Sequence, residues 1–342
     1  MSLRGEDSDG KKYSKPEALW SELAQAPEGA QEAWYNRAVA YWDSQEASVN
    51  GVLGGYGHVS DDDITESRKF LFKVIKLVDI GHPVTALLFH QWQTPPDWQT
   101  RPMADTKSSH LGFADCGAGV GRVSQNLLLH HFQEVDVVEP SHHYIESARK
   151  ALSGSSAQSW PSQHKAVNFY KVGLENWTPH SERQDTPRVT TEWLLSWSCS
   201  AAVLAQLYDV IWIQWALLYL TDGESACSIL DPMAADLHTL HFCHQCACNA
   251  DDAVAFFDRC KAGLKRGGVI VVKENICKHT EFVVDKEDSS LTRSNKYMLQ
   301  LFAKSKMLVM YNVLQRNFPK ELFPVRMYAI KPRTVTADLS QK

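Results

Sequence analysis

Residues 111–139 read LGFADCGAGVGRVSQNLLLHHFQEVDVVE, and the fold turns on this stretch. It opens with a short apolar strand and passes through a glycine-rich turn into an amphipathic helix. A second strand follows and ends on a carboxylate, Glu139. Strand, turn, helix, strand and acid in that order predict the first βαβ unit of a nucleotide-binding α/β fold. Gly117, Gly119 and Gly121 lack the Cβ that would keep a ligand away from the backbone. Glu139 stands about twenty residues beyond Gly117, where such folds place an acid on a ribose hydroxyl.

The spacing argues against a dinucleotide. That fingerprint puts its third glycine three residues after the second, a position held here by Arg122. Asp115, just ahead of the turn, suits a cationic group better than a diphosphate. The amino-acid end of S-adenosylmethionine is such a group. The turn alone is equally compatible with a tight βα connection that holds no ligand.

Composition narrows the classes. The 342 residues carry a net charge of −5, so no general affinity for nucleic acid is expected. No apolar run reaches the ~18 residues of a membrane-spanning helix, and no signal peptide opens the sequence. Eight cysteines without a small-scaffold framework suit a reducing compartment, so a cytoplasmic or nuclear monomer with no membrane partner is expected.

Around the opening stretch, residues 1–15 are polar and are expected to be a disordered tail. Residues 16–80 read as a helical cap with a glycine-rich loop. Trp34, Tyr35, Ala38, Tyr41 and Trp42 recur at helical spacing, a pattern that core packing would also give. GVLGGYGHVS, residues 51–60, reads as a loop able to approach a ligand, and DDDITESRKFLFKVIKL as a helix with an acidic first turn. Residues 81–110 read as an inserted loop.

Residues 111–333 form the main domain, with further insertions near 153–164, 179–206 and 223–250. Beyond Glu139 come a helix SHHYIESARKAL, a strand VNFYKV, and a buried strand from Tyr208 to Ile213 that delivers Gln214 and Trp215 at its carboxyl end. A helix, DDAVAFFDRCKAGLKRGG, feeds the strand VIVVKEN. An acidic loop runs to Ser290, followed by a helix from Thr292 to Lys304 and two adjacent strands, KMLVMYNVLQR and VRMYAIKP. That ending predicts an antiparallel hairpin on an otherwise parallel sheet. That ending resembles the S-adenosylmethionine-dependent methyltransferases of the seven-stranded kind, and the fold class this resemblance implies is α/β: a Rossmann-like seven-stranded class I methyltransferase sheet with an N-terminal helical extension and several insertions.

Four stretches narrow the resemblance: AYWDS followed by GVLGGYGHVS, DCGAGVGR, DVIWIQW, and VVKEN followed by VVDKEDSSLTR. In this order they resemble the eukaryotic protein α-N-terminal methyltransferases, over roughly residues 30 to 331. That resemblance implies transfer of methyl groups from S-adenosyl-L-methionine to the free α-amino group of proteins beginning X-Pro-Lys or X-Pro-Arg, leaving S-adenosyl-L-homocysteine. It assigns Gly117 and Arg122 to the methionine end of the cofactor, with Gly119 in the same loop, and Glu139 to the ribose. Leu174 and Glu175 fall near the adenine and Gln214 near the transferred methyl. The family has aspartate where this chain has Glu139 and usually glutamine where it has Glu175.

On the substrate side the resemblance implies that Asn275 orients the amine and Asp288 takes its proton. An α-amino group titrates at about 7.7–8.0, so a modest base suffices. Read without the resemblance, Asn275 is rather a helix cap or turn residue after the strand and Asp288 a solvated loop acid. Trp215 and Trp42 match the aromatic walls around the substrate proline, with Leu53 and Val59 beside the glycine-rich loop. Asp285 and Ser290 match the groups that meet the basic third residue. Tyr219 and Phe323 stand where the family often has His and Tyr.

Two other readings keep part of this pattern: a small-molecule N- or O-methyltransferase of the same fold, and a binding protein without the chemistry. A run of His238, His241, Cys243, His244, Cys246 and Cys248 offers zinc-type ligands but lacks paired knuckles, so no metal is expected.

Overall fold

The computed structural model describes residues 3–25, 29–78, 112–153, 160–162, 164–179, 207–222 and 251–333. The expected insertions at 81–110 and 223–250, with the Cys/His run, lie outside the described residues, as do all but the edges of those at 153–164 and 179–206.

A short hairpin, β1 (Gly5–Asp7) and β2 (Lys12–Tyr13), forms where a disordered tail was expected. Tyr13 is buried with Leu19, Trp20 and Trp34, which gives the segment an apolar anchor. The helical cap divides into α1 (Pro16–Gln25) and α2 (Ala30–Ser44), with Gly29 at the left-handed φ of 91° before the second helix. The glycine-rich stretch is partly helical: α3 (Val49–Val52) is capped by the Ser48 hydroxyl, which accepts from the Gly51 N–H at 3.1 Å. A single 3₁₀ turn, Gly57–Val59, leads into α4 (Ser60–Ile75), whose first turn holds Asp61, Asp62 and Asp63.

The main sheet is built from β3 (Gly112–Cys116), β4 (Glu134–Val138), β5 (Lys165–Tyr170), β6 (Tyr208–Gln214) and β7 (Leu264–Cys277), all parallel. Between them lie α5 (Arg122–Asn126), α6 (His142–Ser153) and α7 (Asp252–Gly263). The segment read as an acidic loop is a second hairpin, β8 (Phe282–Asp285) and β9 (Ser290–Ser294). The helix after it, α8 (Asn295–Lys304), starts later than expected because Thr292 pairs with Val283 in that hairpin. Finally β10 (Met307–Leu314) and β11 (Val325–Pro332) close the sheet antiparallel, with β11 beside β7, as the two terminal runs predict. The seven strands run β5-β4-β3-β6-β7-β11-β10.

Apolar side chains cover both faces, as parallel strands require. Phe70, Phe113 and Trp212 belong to one layer; Trp177, Phe256 and Phe257 belong to the other. β6 is buried along its whole length. β7 is the longest strand and outruns the main sheet. Its last residues, Ile276 and Cys277, pair with β9, and β8 in turn pairs with β1. The N-terminal hairpin is thereby sewn to the end of the strand that carries Lys273, Glu274 and Asn275.

Candidate active site

At the carboxyl end of β3 the chain turns through Gly117, Gly119 and Gly121, at φ 74°, 57° and 80°. These angles are left-handed, which glycine adopts without penalty. A Cβ on Gly117 would sit 2.2 Å from that of Ala216, so the loop and the β6 end touch through a missing side chain. The N–H groups of Gly117 and Ala118 donate to the Val138 carbonyl at 2.8 and 3.0 Å, fixing the loop against β4. Glu139 follows β4 and is buried. Its carboxyl accepts from the Gly119 N–H and the Ser141 N–H, each at 2.9 Å. Burial pushes its pKa up to about 7 despite these two donors. The Ser141 hydroxyl donates to Asp43 at 2.5 Å, which ties α2 to the same corner.

These groups line one cavity beyond the carboxyl ends of the strands, the expected place in an open α/β sheet. Trp42, Leu53, Gly117, Gly119, Arg122, Glu139, Leu174, Glu175, Gln214 and Trp215 all face it. Helix α2 forms its roof through Tyr35, Ala38, Val39 and Trp42. That helix is held down from the far side, where Trp34 Nε1 donates to the Tyr219 carbonyl at 2.9 Å; beside it, Trp20 of α1 donates from Nε1 to Asp222 at 2.7 Å. Arg293 bonds the other oxygen of Asp222 at 2.7 Å and the Leu220 carbonyl at 2.7 Å. The aromatic stripe therefore serves both readings: Trp34 is core and Trp42 faces the cavity.

The floor carries a buried ionic cluster that the sequence did not announce. Asp63, from the first turn of α4, pairs with Lys273 of β7 and with Arg122 at 2.9 Å, and accepts from Gln214 Nε2 at 2.9 Å. Lys273 also donates to the Ser67 hydroxyl at 2.7 Å. Burial raises the Asp63 carboxyl, but the two cations beside it outweigh that and hold it below its usual range. Burial likewise lowers Lys273, to about 8. Two cations on one carboxylate leave the floor positive. Trp215 lies over them, its ring centre 5.6 Å from the Arg122 guanidinium and 5.8 Å from Lys273 Nζ. Its own φ is 53°, a strained value for a tryptophan, held by its N–H bond to the Lys273 carbonyl at 3.0 Å.

Asp115 corrects the expectation placed on it. It is buried beneath the turn, accepting from the Ser124 N–H at 3.1 Å and the Ser124 hydroxyl at 2.6 Å. It ties down the start of α5 and is not among the residues facing the cavity. The positive charge lining the cavity is that of Arg122, with Lys273 buried behind it, so the carboxylate of an amino-acid ligand is the better match than its ammonium.

Asn275, Asp288, Val59, Asp285 and Ser290 do not line the cavity. Val59 is buried at the foot of α4 and Asn275 is half-buried on β7 opposite Val325. Asp288 reaches the cavity through one intermediary. The Tyr219 hydroxyl accepts from Trp42 Nε1 at 2.6 Å and donates to Asp288 Oδ2 at 3.4 Å. Asp288 Oδ1 and Trp215 Nε1 are buried without a hydrogen-bond partner among the described residues. Burial raises the Asp288 pKa against the opposing effect of Ser290. Asp285 is exposed at the hairpin turn, in register with Ser290.

A family model described as AdoMet dependent proline di-methyltransferase matches residues 30–86, 99–237 and 236–331. The chain belongs to this family. The alpha N-terminal protein methyltransferase 1 of Arabidopsis thaliana is 35% identical over 331 residues, covering 96% of this chain and 91% of the relative. A protein of Danio rerio named N-terminal Xaa-Pro-Lys N-methyltransferase 1 is 28% identical, covering 88% and 96%. A solved SAM-dependent methyltransferase of Leishmania major superposes with a TM-score of 0.64 at 29% identity, covering 97% of each chain. The protein is thus a methyltransferase whose cofactor is S-adenosylmethionine.

The cavity fits that cofactor: glycine backbone at Gly117 and Gly119, the buried acid Glu139, the apolar Leu174 and the Arg122 guanidinium all line it. In this methyltransferase Asp63, Ser67 and Lys273 went unread in the sequence, Asp63 as one acid in a helical first turn and Lys273 as one basic residue in a strand. Glu274 was missed too. It is buried and accepts from the N–H groups of Ala216 and Leu217 at 2.9 and 2.8 Å, fixing the chain after Trp215. A charged run, KEN, inside an otherwise apolar buried strand was the available signal.

Proposed function

We propose that this methyltransferase transfers methyl groups to the free α-amino group of proteins beginning X-Pro-Lys or X-Pro-Arg. The observation that carries the reading is Asp288: a half-buried carboxylate whose buried Oδ1 is unpartnered among the described residues, linked to the cavity through Tyr219 and Trp42. The names of the relatives from Danio rerio and Arabidopsis thaliana support it.

The cofactor supplies an electrophilic methyl on a sulfonium. Glu139 would hold its ribose, Leu174 and Glu175 its adenine, and Arg122 with Gln214, Gly117 and Gly119 its methionine end. An α-amine arrives largely protonated and must lose a proton before it can attack. Asp288 accepts that proton, and burial brings its basicity closer to that of the amine. The Asn275 amide oxygen orients the amine, Trp42 and Trp215 wall the proline ring, and Leu53 and Val59 shape the loop above it. Asp285 and Ser290 meet the basic third residue on the open side of the hairpin. Holding amine and methyl in line is chiefly an orientation effect.

The test is reaction of a synthetic peptide beginning Ser-Pro-Lys with isotopically labelled cofactor, read by mass spectrometry. Methyl groups on the α-nitrogen are expected. Labelling of small amines with none on the peptide would replace this reading with a small-molecule methyltransferase.

A further inference from the structure

Lys286 is the single cation in the turn between β8 and β9, where its neighbours are Asp285, Glu287 and Asp288. An ammonium free in that turn would neutralise the acids offered to a basic substrate residue. The fold turns it away. Its Nζ lies 2.7 Å from Asp7 Oδ2 and 2.8 Å from Asp9 Oδ2, both on the N-terminal hairpin.

The hairpin is shaped to hold Asp7 there. β1 runs along β8, with Asp7 opposite Val284, one step from the acidic turn. Gly5 crosses the Phe282 ring so closely that a Cβ would stand 2.4 Å from it, so only glycine permits this seating. Asp7 is buried and accepts from the Tyr13 hydroxyl at 3.0 Å, the Lys11 N–H at 2.9 Å and the Asp9 N–H at 3.1 Å. Burial raises its carboxyl, but bonds from Lys286, Lys11 and Tyr13 outweigh this and hold it at about 2. It is therefore charged at neutral pH. Among the described residues neither Asp285 nor Glu287 is in an ion pair.

We infer that the N-terminal hairpin tunes substrate choice: Asp7, helped by Asp9, is a positioning residue that withholds Lys286 from the acidic turn and so leaves Asp285 and Glu287 to the substrate's cation. Residues 5–13 precede the matched family range, which begins at residue 30. The inference rests on the proposed function, in which Asp285 meets a basic third residue.

The full chain is assayed in steady state with peptides beginning Ser-Pro-Lys and Ser-Pro-Gln. In Asp7→Asn/Asp9→Asn the released ammonium raises KM for the lysine peptide about three- to fivefold, the strength of an exposed ion pair, with kcat unchanged. KM for the glutamine peptide stays put. Adding Lys286→Met to that variant restores the lysine-peptide KM. A purely structural role for the hairpin would weaken both peptides alike and would not be rescued, which overturns the inference even if the hairpin comes loose. An unmoved lysine-peptide KM overturns it as well. Failure of the unchanged enzyme to methylate either peptide overturns the proposed function and this inference with it; turnover without the Lys286-dependent shift overturns this inference alone.

Discussion

The floor and the far wall of the cavity are built on opposite principles. On the floor every charged group has a partner: Asp63 binds Lys273, Arg122 and Gln214, and the cluster draws on α4, α5, β6 and β7. Behind the far wall, beyond Tyr219, Asp288 keeps one oxygen unpartnered among the described residues and meets that tyrosine only at 3.4 Å. A buried polar atom without a partner costs about 1–3 kcal/mol, a cost a fold tolerates where a ligand will supply the bond. The floor is therefore scaffold, and under the proposed function it holds the cofactor while Asp288 is left open to an incoming group.

The contrast breaks first at Asp63. Asp63→Asn leaves Lys273 and Arg122 facing each other in the interior, and losing one member of such a cluster costs about 3–5 kcal/mol. Thermal unfolding should drop by roughly 10 °C and cofactor affinity should fall with it, as calorimetry and titration would show. Asp288→Asn should do the reverse. Turnover is expected to fall about a hundredfold, in line with loss of a general base, with cofactor affinity nearly intact. Lost cofactor affinity in that variant would contradict its assignment to the substrate side. In the unchanged enzyme the acid limb of kcat/KM should stand above the 3.8 of an ordinary aspartate, because burial raises Asp288 and the proposed base works in its ionised form.

A subtler effect belongs to Glu274, which burial lifts from the ordinary 4.5 to about 8. The native state keeps a proton that the unfolded chain has released, so this contribution to stability is complete below pH 4.5 and is lost as pH rises through about 8. Glu274→Gln should flatten that fall, gaining on the order of 2 kcal/mol at pH 8, measurable as unfolding free energy against pH. An unchanged slope would place the proton elsewhere. The smallest effect is expected at the exposed turn: Asp285→Asn should raise KM for a lysine-bearing peptide by about threefold with kcat unchanged.

Legibility in the sequence followed the range of the signal. The glycine turn, Glu139 and the Gln214–Trp215 strand end are local patterns, and each stands where its spacing implied. The terminal hairpin was equally local. Asp63 and Lys273 are 210 positions apart, so nothing near either residue marks them as partners. Asp115 shows the opposite error. Its place beside the turn was legible, but the direction of its side chain depended on the Ser124 hydroxyl, and that turned a supposed ligand contact into a helix anchor. The strands at residues 5–13 were too short for any period to show, and their partner is remote.

That remoteness has a consequence for synthesis. The contacts joining β1 and its turn to the β8 segment span gaps such as the 277 positions between Asp9 and Lys286. Ribosomes extend chains at about 5–20 residues per second, so residues 5–13 wait on the order of tens of seconds for the strand they pair with. Through that interval Tyr13, Trp20 and Trp34 lack the Phe282 and Leu291 side chains that later cover them. The acidic turn is thus fastened late, from the end of the chain that was made first.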